Sequence, residues 1–174
     1  MKLNKSIIIV AGEPNSIFLE IFFKSLKKIK SNTPIILIAS HKLLMMQMVK
    51  LNFNKKIRIL DYKNIVSSKL DNKKLNLINV NYNPSKAFEP ISSKSNSYIE
   101  NCFKIAFQLI KKYDFKRVVT GPISKKNFLN KKHLGITEYI SKKFNIKKNA
   151  MLIYNKNLSV CPLTTHLPLK FVSK

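Results

Sequence analysis

Four uninterrupted apolar runs punctuate the chain. Ser6 to Ala11 and Pro34 to Ala39 are the longer two; Arg117 to Thr120 and Ala150 to Tyr154 are shorter. Apolar runs without polar alternation predict strands covered on both faces, as in a parallel sheet. Between them, apolar positions recur at helical spacing. Ile17, Ile21, Phe22, Leu26 and Ile29 predict one helix face, and Leu44, Met45, Met48 and Leu51 a second, with the methionines as core filler. The longest helix is predicted over Ser95 to Tyr113, where Ile99, Cys102, Phe103, Ala106, Leu109, Ile110 and Tyr113 share a face. Weaker signals predict strands at Arg58 to Leu60, Leu75 to Val80 and Leu158 to Cys161. Tyr82 to Ser97, rich in Ser, Asn and Pro, reads as a loop. Strands alternating with helices predict βαβ units in a doubly wound α/β fold. No linker divides residues 1–174 into separate domains.

Composition changes this picture little. The 174 residues, 45% of them hydrophobic, suffice for one folded domain with a sizeable core. No apolar stretch is long enough to span a bilayer. The first run ends in Gly12-Glu13-Pro14 rather than a cleavage site, so it reads as a strand and not a signal peptide. Cys102 and Cys161 form no Cys-x-x-Cys motif; two small buried hydrophobes in a reducing cytoplasm are expected. The net charge of +25 ordinarily points to nucleic acid or an anionic membrane. Here the lysines are spread along the chain among asparagines and isoleucines, and only Arg58 and Arg117 are arginines. That pattern fits A/T-rich codon drift, so no specific nucleic acid and no membrane are expected as partners. An anionic substrate would still be drawn in.

The candidate chemistry begins with scarcity. The chain has three glycines, Gly12, Gly121 and Gly135, and two follow predicted strands, where open α/β sheets place ligands. Thr120-Gly121-Pro122-Ile123-Ser124-Lys125 opens a short helix whose amides and lysine suit an anion, or is an ordinary strand-to-helix turn. Thr137, ahead of Tyr139, Ile140 and Phe144, is either a helix N-cap or a hydroxyl offered to a phosphate or carboxylate. Glu13 and Glu20 are the acidic groups near the first strand end. His41 and His133 read as surface or turn histidines. His166 differs: in Thr164-Thr165-His166-Leu167-Pro168-Leu169 it follows a strand, between hydroxyls and a proline, and is placed to ligate a metal. One imidazole does not hold a metal alone.

In order and rough spacing, Gly12-Glu13-Pro14 with Glu20, Thr120 to Lys125, Thr137-Glu138 and Thr164 to Leu169 resemble the 4-hydroxythreonine-4-phosphate dehydrogenase family of pyridoxal phosphate biosynthesis. The resemblance implies an isocitrate/isopropylmalate-dehydrogenase-like fold, a cytoplasmic homodimer, and NAD(P)+ with a divalent metal (zinc, magnesium or cobalt) as cofactors. It implies oxidation and decarboxylation of 4-phosphohydroxy-L-threonine, a phosphorylated hydroxy-amino acid. His166 matches a metal ligand and Thr137 a substrate-contacting threonine. Two departures stand out. Ile136 occupies a position where the family has a histidine. The family pattern Gly-Glu-Pro-x-Gly-Ile-Gly-Pro-Glu reads Gly12-Glu13-Pro14-Asn15-Ser16-Ile17-Phe18-Leu19-Glu20 here, so Ser16 and Phe18 replace glycines. Family members are also about twice as long, so a truncated N-terminal half, inactive alone, is expected. The rival expectations are a dehydrogenase of another phosphorylated four-carbon hydroxy acid and a non-catalytic remnant or basic binding protein.

Overall fold

The computed structural model describes residues 5–29, 33–68, 70–71, 73–130, 133–164 and 168–172. They fall into two compact units, Met1–Lys132 and His133–Lys174. The sequence offers no composition shift at this junction.

The first unit is built on a five-stranded parallel sheet of β1 (Ile7–Val10), β2 (Ile35–Ala39), β3 (Ile57–Ile59), β4 (Leu75–Asn79) and β5 (Val118–Thr120), in the order β3-β4-β2-β1-β5. Helices α1 (Phe18–Lys28), α2 (His41–Lys50) and α3 (Asn96–Tyr113) connect the strands. Side chains alternate across a strand. Ile9, Ala11, Leu37, Ala39, Leu75 and Leu77 therefore share one face, where they join Leu19, Phe22 and Phe23 of α1 and Leu44 and Met48 of α2 in one core cluster. Ile8, Val10, Ile36, Ile38 and Ile78 point to the other face, against which α3 packs with Ile99, Cys102, Phe103, Ala106 and Leu109 buried. Both faces of the central strands are thus covered, as the unbroken apolar runs predict.

Three local expectations are corrected. On α1, Ile17, Ile21 and Ile29 are exposed, and the buried face is Leu19, Phe22 and Phe23 with Leu26 packed beside it. The helix is apolar on two sides, so periodicity alone does not select the side facing the sheet. On α2, Met48 is core but Met45 is exposed, with Leu43 and Gln47 buried instead. Cys102 is buried as expected; Cys161 is exposed.

Scarce glycine leaves a mark on the helix ends. Asn52, Asp114, Asn130 and Asn145 hold positive φ. Asp114, for example, ends α3 at φ 55°, donating its N–H to Ile110 O at 3.0 Å. Short polar side chains tolerate this left-handed conformation, so they stand where glycine usually ends a helix.

The second unit contains α4 (Ile136–Phe144) and an antiparallel ribbon of β6 (Ile153–Tyr154) and β7 (Ser159–Val160). The His133 ring meets Tyr139 edge-on at 5.4 Å between centroids. The run at Ala150 to Tyr154 predicts a strand buried on both faces of a parallel sheet. Instead Leu152, Ile153 and Tyr154 are exposed, and the strand pairs antiparallel with β7 across a tight turn in which Asn155 and Leu158 exchange hydrogen bonds. A short apolar run does not reveal how many of its faces are covered. Among the described residues, no helix is long and apolar enough to cross a membrane.

Candidate active site

From β1 the chain turns through α1 to β2 on one side, whereas β5 arrives on the other side of β1. The carboxyl ends of β1 and β5 therefore flank the point where strand order reverses, the usual ligand crevice of an open α/β sheet. Two of the three glycines meet there. Gly12 has φ +72°, and a Cβ on it would lie 2.5 Å from Pro122 O. A Cβ on Gly121 would lie 2.1 Å from Ala11 O. The two loops run so close that only hydrogen side chains fit, and they bond to each other: Glu13 N to Pro122 O at 2.8 Å and Gly121 N to Val10 O at 2.8 Å. Gly135, in extended backbone before α4, is not required by conformation.

Glu13 is buried at 3% exposure, and its carboxylate accepts from Ser95 Oγ at 2.9 Å and from Asn15 N at 3.3 Å. Ser95 is the N-cap residue of α3, so the buried negative charge sits at the positive end of that 18-residue helix. Ser95 Oγ also lies 3.0 Å from Ser92 O, but one hydroxyl proton serves one acceptor best, and the carboxylate is the stronger. Further bonds tie the first loop to the 82–95 loop. Gln47 Nε2 donates to both Pro14 O and Ala87 O, at 3.0 and 2.7 Å, and Asn15 Oδ1 accepts from Glu89 N at 3.1 Å. Asn96 Nδ2 donates to Asn127 O at 2.7 Å. Gln47 Oε1 and Asn96 Oδ1 are buried acceptors without a donor among the described residues.

The 82–95 loop and the start of α3 enclose a polar cavity of about 480 Å³ lined by Tyr82, Ser85, Glu89, Lys94 and Tyr98. The Ser85 hydroxyl and amide, with the Lys86 amide, hold the Glu89 carboxyl below its ordinary range. Burial raises the Tyr98 hydroxyl well above its usual value, and Tyr98 OH accepts from Ser40 N at 3.1 Å. A larger hollow of about 580 Å³, beside Tyr62, Gln108 and Lys112, lies along the C-terminal half of α3.

The predicted residues are placed as follows. Glu13 is in the crevice wall. Glu20 faces outward and pairs with Lys24 at 2.5 Å. Lys125 is exposed at the start of a five-residue π-helical turn, Lys125–Leu129, whose Asn127 N is already capped by Ser124 Oγ at 3.1 Å. Thr137 is the second residue of α4, half-buried; Gly135 is the N-cap residue there, so Thr137 is not. His166 lies outside the described residues. Among those described, no group of three His, Cys, Asp or Glu is arranged to hold a metal. Ser95, Gln47 and Asn96 went unpredicted, because each is made important by a residue at least 30 positions away.

The replaced glycines have visible consequences. Ser16 Oγ donates to Glu13 O at 2.8 Å and accepts from Phe18 N at 3.3 Å, so a hydroxyl closes the turn. The Phe18 ring sits over Gly121, 2.9 Å from where a Cβ on it would stand. The amides of Glu13, Asn15, Ser16 and Phe18 are all engaged within the crevice loops. With the Glu13 carboxylate beside them, these amides do not suit a pyrophosphate.

The family model of the pyridoxal phosphate biosynthetic protein PdxA matches residues 30–174. The chain belongs to this family. Two 4-hydroxythreonine-4-phosphate dehydrogenases are similar along most of it: that of Sulfurihydrogenibium sp., 30% identical over 94% of this chain and 50% of the relative, and that of Aquifex aeolicus, 28% identical over 98% and 52%. Among solved structures, a 4-hydroxythreonine-4-phosphate dehydrogenase from Burkholderia phymatum superposes with a TM-score of 0.79 at 20% identity, covering 94% of this chain and 51% of that one. A putative one from Salmonella typhimurium gives 0.78 at 20%, covering 95% and 52%. These likenesses establish the fold, an isocitrate/isopropylmalate-dehydrogenase-like α/β architecture. The chain spans about half the length of the PdxA relatives it matches.

Proposed function

We propose that the chain carries the first half of an NAD(P)+-dependent, divalent-metal-dependent 4-hydroxythreonine-4-phosphate dehydrogenase of pyridoxal phosphate biosynthesis. The observation that carries this reading is the match to dehydrogenases of that name along nearly the whole chain. The reaction oxidises the secondary alcohol of 4-phosphohydroxy-L-threonine, and the resulting β-keto acid loses carbon dioxide. His166 is proposed as a metal ligand and Thr137 as a hydroxyl donor to the substrate. The surplus of lysine favours a phosphorylated substrate. The described residues complete neither the metal site nor a dinucleotide site. What this half supplies is a rigid crevice wall, with the loops after β1 and β5 locked by Gly12 and Gly121 and the buried Glu13 fixed by Ser95. A cytoplasmic homodimer is the working assembly on this reading.

The test is a chimera in which this chain replaces the matching half of the Aquifex aeolicus enzyme. NADH formation from 4-phosphohydroxy-L-threonine with Zn²⁺, Mg²⁺ or Co²⁺ is expected from the chimera and not from the 174-residue chain alone. In the chimera, His166→Ala is expected to lower metal affinity by roughly ten- to a hundredfold, and Thr137→Ala to raise KM more than it lowers kcat. A chimera that folds but gives no turnover sinks the proposal. Ile136 favours a second reading. An isoleucine at the start of α4 donates no hydrogen bond, and a different phosphorylated four-carbon hydroxy acid is then the better substrate. Turnover of such an acid at higher kcat/KM than 4-phosphohydroxy-L-threonine decides for it.

A further inference from the structure

The hollow of about 580 Å³ along α3 falls within the roughly 300–1,000 Å³ usual for small-molecule sites. Tyr62 and Lys63, from the turn after β3, form one wall; Leu109, Lys111, Lys112 and Tyr113 of α3 form the other. Leu109 is buried, the two tyrosines are half-buried and the three lysines are exposed, so apolar surface lies beneath a rim of positive charge. Both walls are held from below. Ile65, wholly buried, pins the turn, and Ser67 N and Ser68 N bond to Asn64 O and Ile65 O at 3.2 and 3.1 Å. Leu109 anchors α3 in the same way. No carboxylate lines the hollow, whereas the cavity beside the 82–95 loop has Glu89 as well as Lys94. The acids nearest in sequence are engaged: Asp61 accepts from Lys63 N and Asn64 Nδ2, both at 2.9 Å, and Asp114 pairs with Lys116 at 2.6 Å. A helix C-terminus favours Lys111 and Lys112 on its own account. Lys63 belongs to another element, and its charge joins theirs only through the fold. Lys112 Nζ stands 5.1 Å from the Tyr113 ring centroid, so cationic and aromatic groups are interleaved.

Two phenol rings over an aliphatic floor suit a flat aromatic ring. Three ammonium groups suit a compact anion of more than one charge, and a phosphate monoester carries about −1.5 to −2 at neutral pH where a carboxylate carries one. We propose that this hollow is a binding site for a small aromatic molecule bearing a phosphate, its ring against Tyr62 and Tyr113 and its phosphate among Lys63, Lys111 and Lys112. Two sources have this chemistry: a nucleoside monophosphate, and a pyridine phosphate of the kind named in the description of the family. The hollow shares no residue with the loops after β1 and β5 or with the 82–95 loop, and neither Thr137 nor His166 belongs to it. The inference is therefore independent of the proposed dehydrogenase activity.

The test is isothermal titration calorimetry of the 174-residue chain in about 0.15 M salt, where attraction between exposed charges is screened beyond roughly 8 Å. The probes are AMP, pyridoxine 5′-phosphate, adenosine and inorganic phosphate. Pyridoxine 5′-phosphate lacks the aldehyde that would form imines with surface lysines. At least one of the two ring phosphates should bind at a single site with Kd below about 1 mM, and adenosine and inorganic phosphate roughly tenfold more weakly or worse. Tyr62→Ala should weaken the complex roughly fivefold or more. Lys63→Gln and Lys112→Gln, exposed positions that should leave the thermal midpoint unchanged, should each weaken it roughly two- to fivefold. Lys27→Gln,Lys28→Gln removes charge from α1 instead and should leave affinity unchanged. Tighter binding of AMP assigns a nucleotide, tighter binding of pyridoxine 5′-phosphate a pyridine phosphate, and equal affinity supports the shared chemistry. The proposal is overturned by no binding of either at about 1 mM, by inorganic phosphate binding as tightly as the ring phosphates, or by unchanged affinity of both Lys63→Gln and Lys112→Gln. An equal loss in the Lys27→Gln,Lys28→Gln control would mark general attraction to a basic chain and overturn it too.

Discussion

Gly121→Ala isolates the close approach of the two crevice loops from any backbone preference, because Gly121 does not hold a positive φ. The new Cβ would stand 2.1 Å from Ala11 O and 2.8 Å from Ala11 C. Both are backbone atoms between β1 and Gly12, so no side-chain rotation relieves the clash. Restoring even a tight contact requires the loops to part by about 1 Å. That displacement breaks or strains two hydrogen bonds, Gly121 N to Val10 O and Glu13 N to Pro122 O, both 2.8 Å. Each is worth about 1 kcal/mol. Overpacking against the Phe18 ring and the Ala11 backbone adds about 1–3 kcal/mol. The expected loss is about 3–5 kcal/mol, a large part of the ~5–15 kcal/mol that holds a typical domain folded. Urea unfolding followed by far-UV circular dichroism measures it, with Gly135→Ala as control. A Cβ at Gly135 meets only the mobile end of Glu138 at 3.0 Å. That variant should lie within about 0.5 kcal/mol of the parent or be slightly more stable, because alanine narrows the unfolded ensemble. If Gly121→Ala loses less than about 1 kcal/mol, the steric account of the crevice is wrong.

Other outcomes are expected from the same structure. Ser95→Ala leaves the buried Glu13 carboxylate, among the described residues, with Asn15 N alone and should cost about 1–3 kcal/mol in urea unfolding; Ser95→Ala,Glu13→Gln should recover part of that loss, and no recovery would show that the carboxylate is not the strained partner. Native alkylation should label Cys161 alone, with Cys102 reacting only after denaturation; rapid labelling of both would contradict the burial of α3. Burial pushes the Cys102 thiol from an ordinary 9.0 up to about 12, against a hydrogen bond with Tyr98. The unfolded chain then loses this proton first, so the thiol's contribution is intact below pH 9.0 and stability falls above it, by about 1.4 kcal/mol per pH unit up to the folded value. Cys102→Ala should flatten that alkaline slope in urea titrations, and an unchanged slope would assign it elsewhere.

Much of the architecture was legible in the residues. Ser6 to Ala11 and Pro34 to Ala39 are apolar at every or nearly every position, a pattern that suits a strand covered on both faces, and β1 and β2 are such strands. The long period through Ile99, Cys102, Phe103, Ala106 and Leu109 fixed α3 within one residue at its start. The scarcity of glycine singled out Gly12 and Gly121, because asparagine replaces glycine at helix ends but not where a Cβ meets backbone. The motifs also carried the family. Less legible was the side on which an element is covered. Ile17 and Ile21 have the same period as Leu19 and Phe22, and Ile153 is as apolar as Ile8.

What the chain determines by itself is local. Apolar period and propensity set which segments become strands or helices, and fixed residues such as Gly12 and Glu13 mark where a loop must be special. Tertiary structure decided the rest. Strand order brought Gly12 against Pro122 and Ser95 to Glu13, joining residues more than 80 positions apart. It also put β5 at an open edge although its sequence is that of an inner strand. The physical reason is that burial and hydrogen-bond satisfaction belong to pairs of surfaces. A segment encodes its own apolar and polar groups, but whether they are covered depends on which other segment arrives beside it.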